Sequence, residues 1–281
     1  MSLRAFRIAY DGTNYYGFQR QPDVSTVEDA IFDALRALEV LNPSADKPDG
    51  YAAAGRTDAG VSALAQTIAL EAPDWLEPRA LNAELPADVR AWAAADAPAE
   101  FHATHHASRR TYTYHLYAPT EAPLDSEPAD SVVDDDRFRA ACEALSGTHD
   151  FHNLTPDDRN TERSPSIAVR RDDDYLVLTV SAGGFARELV RRLVSLARDV
   201  GTGDAPLEKV DRALAPEPLP GHEGIAPAPP EPLVLTDVQY PALAFEIDEE
   251  AAASARAVFE RRRIDQRTGA RVAEQVADGL R

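Results

Sequence analysis

Gly55-Arg56-Thr57-Asp58-Ala59-Gly60-Val61 sets one aspartate between two glycines. Glycines so placed let the backbone turn tightly and push a carboxylate into a cleft. An ionised carboxylate presented in that way can form a covalent intermediate and leave again. An ordinary surface turn is the competing reading, because Asp-Ala-Gly suits turns. Tyr112 alternates with Thr111 and Thr113 and shares a strand face with Tyr114. A ring there either stacks on a base or packs within its strand. Arg187 and Arg191, four residues apart, share one helix face opposite Phe185, Leu189 and Leu193. A guanidinium beside a carboxylate keeps it ionised and fixes its direction; a solvated basic face is the alternative. His102, His105, His106, His149 and His152 raise the question of a metal. Cys142 is the only cysteine, and no Asp or Glu stands at a familiar ligand spacing, so no metal site is expected.

These residues need elements to hold them. Ala5–Tyr10 reads as a strand ending at the Asp11-Gly12 turn. A polar-aromatic loop follows, from Thr13 to Pro22. Ser25 and Glu28 form a capping box for a helix with Val27, Ile31, Leu35 and Leu38 on one face, stopped by Asn42-Pro43. Two short apolar stretches flank the Asp58 block. Arg79–Leu85 predicts a short helix and Val89–Ala95 a strand. Arg110–Tyr117 alternates as a strand with one polar face, and Glu121–Asp136 is a Pro-, Asp- and Glu-rich loop. Phe138–Leu145 predicts a helix ended by Gly147. Ile167–Arg171 and Tyr175–Ser181 predict a hairpin across Asp172-Asp173-Asp174. A helix follows Gly183-Gly184 and is closed by Gly201. Pro216–Pro232 is a connection, Leu233–Tyr240 a late strand, and Asp248–Arg281 a charged helical tail. Hairpins mixed with helices indicate an α+β architecture rather than strict alternation.

The 281 residues carry a net charge of −19, and Lys47 and Lys209 are the only lysines. Scarce lysine with dispersed Asp and Glu points to adaptation to a salty cytoplasm, as in a halophilic archaeon. At about 1 M salt the Debye length is roughly 3 Å, so global repulsion no longer excludes a nucleic-acid partner. One cysteine excludes an intrachain disulfide. No apolar run approaches the roughly 18 residues of a membrane span. No secretion signal is read at the amino terminus, and a cytoplasmic location is expected.

Four blocks in order resemble the tRNA pseudouridine synthase A family over roughly Phe6 to Tyr240. They are Tyr10-Asp11-Gly12 through Tyr15-Tyr16-Gly17-Phe18-Gln19-Arg20-Gln21; Gly55–Val61; Phe101-His102-Ala103 followed by Arg109-Arg110-Thr111-Tyr112-Thr113-Tyr114; and Gly184-Phe185 leading into Leu189-Val190-Arg191-Arg192-Leu193-Val194. The resemblance implies catalytic roles for Asp58 as nucleophile, Tyr112 as the active-site tyrosine and Arg191 as the basic partner of the carboxylate. Arg56, Thr57, Gln19, Arg20, Arg109 and Arg110 are candidates for RNA contact. It further implies a homodimer, no cofactor, and uridines 38 to 40 of the tRNA anticodon stem-loop as targets, flipped from the stack before reaction. The fold implied is a mixed, largely antiparallel sheet built from two related halves, residues 1–105 and 106–245, with a central cleft and a tail over 246–281. Ser62 stands where the family usually has histidine, and Phe18 where tryptophan is usual. The rivals are a pseudouridine synthase for other RNA sites and a non-catalytic RNA-binding protein of the same fold. A glycoside hydrolase would need a second, paired carboxylate, which nothing here motivates.

Overall fold

The structure, a computed structural model, describes residues 1–121 and 132–280. Most of the predicted Glu121–Asp136 loop therefore lies outside the described residues. In chain order the strands are β1 (Ser2–Tyr10), β2 (Ala52–Ala53), β3 (Ser62–Ala72), β4 (Val89–Asp96), β5 (Arg109–Tyr117), β6 (His149–Asp150), β7 (Glu162–Arg163), β8 (Ser166–Asp172), β9 (Tyr175–Ala182), β10 (Leu233–Gln239) and β11 (Glu246–Ile247). The helices are α1 (Val27–Ala37), α2 (Pro78–Glu84), α3 (Asp135–Leu145), α4 (Leu189–Thr202), α5 (Glu208–Leu214) and α6 (Glu249–Asp278).

Among the described residues, one nine-stranded sheet runs β11-β4-β1-β3-β10-β5-β9-β8, with β2 against β3. Its pairings are antiparallel except between β10 and β3, where Val234 faces Ser62. The α+β expectation holds. β10 arrives from late in the chain and sits between β3, which follows the Asp58 loop, and β5, which carries Tyr112. That insertion brings the two segments together. β1 is an inner strand, flanked by β4 and β3, and is buried from Arg4 to Tyr10, so its two arginines need partners inside. Arg4 donates to the Leu76 carbonyl at 2.7 Å, and Arg7 to the Val238 carbonyl at 2.5 Å. β5 alternates instead, with Tyr112, Tyr114 and Leu116 turned to the core.

Several local expectations change. α1 is capped by Thr26, not Ser25: the Thr26 hydroxyl accepts from Asp29 N–H, and the Asp29 carboxylate accepts from Thr26 N–H at 3.1 Å. Two overlapping boxes compete there, and the one a residue later buries Val27 and Ile31 on the core side. The helix also ends earlier than Asn42-Pro43, at Ala37, and Glu39 turns left-handed (φ +58°). α4 begins only at Leu189, because Glu188 adopts a left-handed conformation (φ +58°). It runs through Gly201 to Thr202 and ends on Gly203 (φ +87°). Phe185 and Arg187 therefore precede the helix, and Arg187 shares no helix face with Arg191. The sequence pattern does not anticipate α5 or β11, whereas the tail is helical as expected.

Candidate active site

The Asp58 loop spans the gap from β2 to β3 and is held along its length by the segment after β1. Phe18 N–H donates to the Thr57 carbonyl at 3.1 Å, and Gly60 N–H to the Tyr15 carbonyl at 3.2 Å. Val61 N–H reaches the Asp58 carbonyl at 3.1 Å and closes the turn around the aspartate; Gly60 turns left-handed there (φ +82°). Gly12 N–H donates to the Ser62 hydroxyl at 3.1 Å. Thr57 is buried, its hydroxyl 2.8 Å from that of Tyr10. Buried Gln66 donates to the Gly55 carbonyl at 2.9 Å. The loop is thus fixed at both ends and in the middle, which preorganises the carboxylate. Gly12 touches it most closely: a Cβ there would lie 2.0 Å from the Val61 carbonyl oxygen. Gly12→Ala must displace one backbone or the other, so turnover falls along with the melting temperature. An unchanged rate would show that this contact does not position Asp58.

Asp58 faces a cleft of about 1100 Å³ whose lining includes Arg56, Tyr112, Phe185 and Arg191. Arg191 Nη1 lies 3.3 Å from Asp58 Oδ2, while its Nε donates to the Ala228 carbonyl at 2.6 Å. One guanidinium is thereby anchored at one edge and aimed at the carboxylate with the other. Burial raises the Asp58 pKa above its ordinary value, Glu188 adds to that, and the Arg191 charge opposes it without cancelling it. A partly desolvated, singly paired carboxylate is a stronger nucleophile than a solvated one. Tyr112 packs edge-on against Phe185, ring centroids 5.3 Å apart at 85°. Burial first, then the Asp58 charge, holds its hydroxyl well above the usual phenol range. The Tyr112 hydroxyl therefore stays protonated near neutral pH.

Residues 141–241 match the family model described as tRNA pseudouridine synthase. The tRNA pseudouridine synthase A of Haloarcula marismortui is 59% identical over 278 residues, covering 99% of this chain and 100% of that protein. The chain belongs to the tRNA pseudouridine synthase A family. It is an isomerase. The Natronomonas pharaonis protein of the same name is 59% identical, covering 96% of this chain and 97% of its own. That of Archaeoglobus fulgidus is 37% identical over 251 residues, 88% and 87% of the two chains.

Against the family pattern, Asp58, Tyr112 and Arg191 come together in one cleft, and Arg56 lines it as an exposed cation. The RNA-contact candidates divide. Gln19 is exposed on the cleft rim. Arg20 lines the cleft too, yet its guanidinium meets Asp29 at 3.0 Å and Asp46 at 3.2 Å and lies over the Phe32 ring. Arg109 is exposed at the start of β5. Thr57 and Arg110 are buried, though both line the cleft. Arg110 donates to the carbonyls of Ala54, Thr104 and Gly183, which braces the strand ahead of the Asp58 loop. Arg187 pairs with Asp157 at 2.6 Å. The Nδ1 atoms of His102 and His106 accept backbone amides of Thr104 and His102, and burial lowers the His102 pKa. Among the described residues, no group of three His, Cys, Asp or Glu side chains is placed to hold a metal.

Sequence reasoning misses Tyr10, Gln66 and Glu188 as supports of the site. Tyr10 and Gln66 sit on buried strands, where polar side chains need partners, and Tyr10 also opens the first block of the resemblance. Ser62, which departs from the family pattern, fills a backbone role through its hydroxyl.

Proposed function

We propose that this isomerase converts uridine to pseudouridine in the anticodon stem-loop of tRNA, at positions 38 to 40, with Asp58 as nucleophile. The Asp58–Arg191 pair, opening onto a cleft walled by Tyr112, carries the reading. The reaction breaks the bond from uracil N1 to ribose C1′, turns the base, joins C5 to C1′ and releases the C5 proton. N1 takes up a proton, so no electrons are gained or lost and no cofactor is required. Asp58 forms the covalent bond that holds one fragment while the base turns. Arg191 keeps the carboxylate ionised and pointed at the flipped nucleotide. Tyr112 stacks on the freed uracil, a contact worth about 1–3 kcal/mol for base–aromatic pairs. The cleft has room for a flipped base.

The same reading takes residues 1–105 as the half that supplies Asp58, residues 106–245 as the half that supplies Tyr112 and Arg191, and 246–281 as an added tail. It includes a homodimer and a cytoplasmic location. Among the described residues, no helix is long and apolar enough to cross a membrane. Site mapping by primer extension on modified tRNA tests the target. Pseudouridine at 38 to 40 alone supports the reading; pseudouridine elsewhere favours the rival acting on other RNA sites.

Relatives from halophilic archaea and the net charge of −19 together predict a salt requirement. Self-repulsion of the acidic surface is relieved once the Debye length drops to a few Å at molar salt. The melting temperature and turnover should both rise steeply as KCl approaches about 1 M. Full activity in dilute buffer would contradict this.

A further inference from the structure

α6 is rooted against β4. Asp248 N–H donates to the Trp92 carbonyl at 3.1 Å, and Ala251 and Ala255 are buried. Fourteen residues beyond its cap, Arg262 meets the Asp11 carboxylate. Asp11 directly follows β1, and Tyr10 lies opposite Val89 of β4 and Ala63 of β3. The helix has thus reached the end of the sheet at which the Asp58 loop enters β3. From Arg263 to Leu280 every residue is exposed. At 1.5 Å per residue the helical part of this stretch extends about 24 Å further.

The exposed helix is two-faced. Ala251, Ala255, Val258 and Arg262 recur at spacings of four and three and form the docking face. Arg256, Arg263, Arg267 and Arg271 recur at seven, four and four on the far side, a stripe that Glu274 closes. Arg263 is held by Glu260 at 2.5 Å, whereas Arg256, Arg267 and Arg271 form no ion pair among the described residues. Other arginines without a carboxylate partner are scattered over the fold, whereas these lie along one helix. Arg4, Arg20, Arg79, Arg171, Arg187 and Arg192 all meet carboxylates. A protein with a large excess of acid thus carries three arginines without an ion pair along one face of a helix that is tied to Asp11, next to the end of β1. Val272, Val276 and Leu280 are exposed too, though they continue the docking face and not the basic one.

We propose that the basic face of α6 binds the phosphate backbone of the tRNA at a stretch away from the reacting uridine. The inference rests on tRNA being the substrate and adds a second contact region outside the cleft. Charge complementarity selects the occupant: guanidinium groups without ion pairs on one helix face match a phosphate backbone and repel a second copy of the same face.

The test is the triple variant Arg256→Gln, Arg267→Gln, Arg271→Gln, whose sites are exposed. Affinity is measured for full-length unmodified tRNA and for an isolated anticodon stem-loop across a KCl series, with single-turnover rates at saturating tRNA. The proposal expects about tenfold weaker binding of full-length tRNA. The salt dependence should be shallower by about two in log–log slope. Stem-loop affinity and the single-turnover rate should not change. Unchanged tRNA affinity, or equal losses on both RNAs, would overturn it. So would a lower particle mass by light scattering with tRNA affinity intact, which would make the face a contact between copies. Because affinity is read apart from turnover, a wild type that binds tRNA without modifying it would strike the proposed reaction and leave the α6 result to stand or fall alone.

Discussion

Asp58→Asn should abolish uridine isomerisation, a loss of about 10⁴-fold or more for a missing nucleophile, and should leave tRNA affinity within a few-fold of wild type. The amide keeps the size and one hydrogen-bond acceptor of the carboxylate, and the loop around it is fixed by bonds that Asp58's side chain does not make. Those bonds run through Thr57, Gly60 and Ser62. The fold should therefore persist while the bond-forming group is gone. A melting curve like that of wild type with no product measures the first half, and filter binding of tRNA the second. If turnover survives, Asp58 is not the nucleophile. If binding collapses with it, the carboxylate is there to organise the cleft.

Arg191→Gln should lower turnover about 10²-fold near neutral pH, as expected for loss of a preorganised charge, and should move the acid limb of the rate profile upward. The sign follows from the balance at Asp58. Burial and Glu188 raise its pKa, and Arg191 is the main influence lowering it. The nucleophile must be ionised, so wild-type rates already rise through a range above the ordinary aspartate value of about 3.9. Removing Arg191's charge leaves only the weaker Arg187 charge against the raising influences, and a larger share of the enzyme is protonated at any given pH. The deficit is therefore greatest in acid and shrinks as pH rises. Arg191→Lys keeps the charge but cannot hold both the Ala228 carbonyl and Asp58 in the same fork, so it should rescue the limb's position better than the rate. A uniform loss across pH, matched by an equal loss of tRNA affinity, would mean that Arg191 mainly binds RNA.

The parts of the site written in consecutive residues are legible in the sequence alone. The glycines around Asp58 allow either a presented carboxylate or a surface turn, and the family resemblance favours the first, while strict alternation places Tyr112 on the buried face of β5. What stays hidden depends on contacts distant in sequence. Arg110 looks like a phosphate ligand in a row of basic and polar residues. Only the approach of Ala54, Thr104 and Gly183 shows that its charge is used inside. Arg187 fits a helical repeat with Arg191, and one left-handed residue, Glu188, breaks that register. Ser25 and Thr26 both make sound caps on paper; core burial of α1 chooses between them. α5 has only seven residues, too few for its periodicity to stand out. β10's place between β3 and β5, which assembles the cleft, is a pairing across more than a hundred residues that no local pattern encodes.

Tritium release from 5-tritiated uridine in unmodified tRNA, at high salt, tests the central claim most directly. Loss of the C5 proton is the one exchange that uridine isomerisation requires. Wild type should release tritium in step with pseudouridine formed, and Asp58→Asn should release none. Release by the variant at a rate near wild type would contradict the role of Asp58. No release by wild type, with tRNA still bound, would make this a binding protein on a synthase fold.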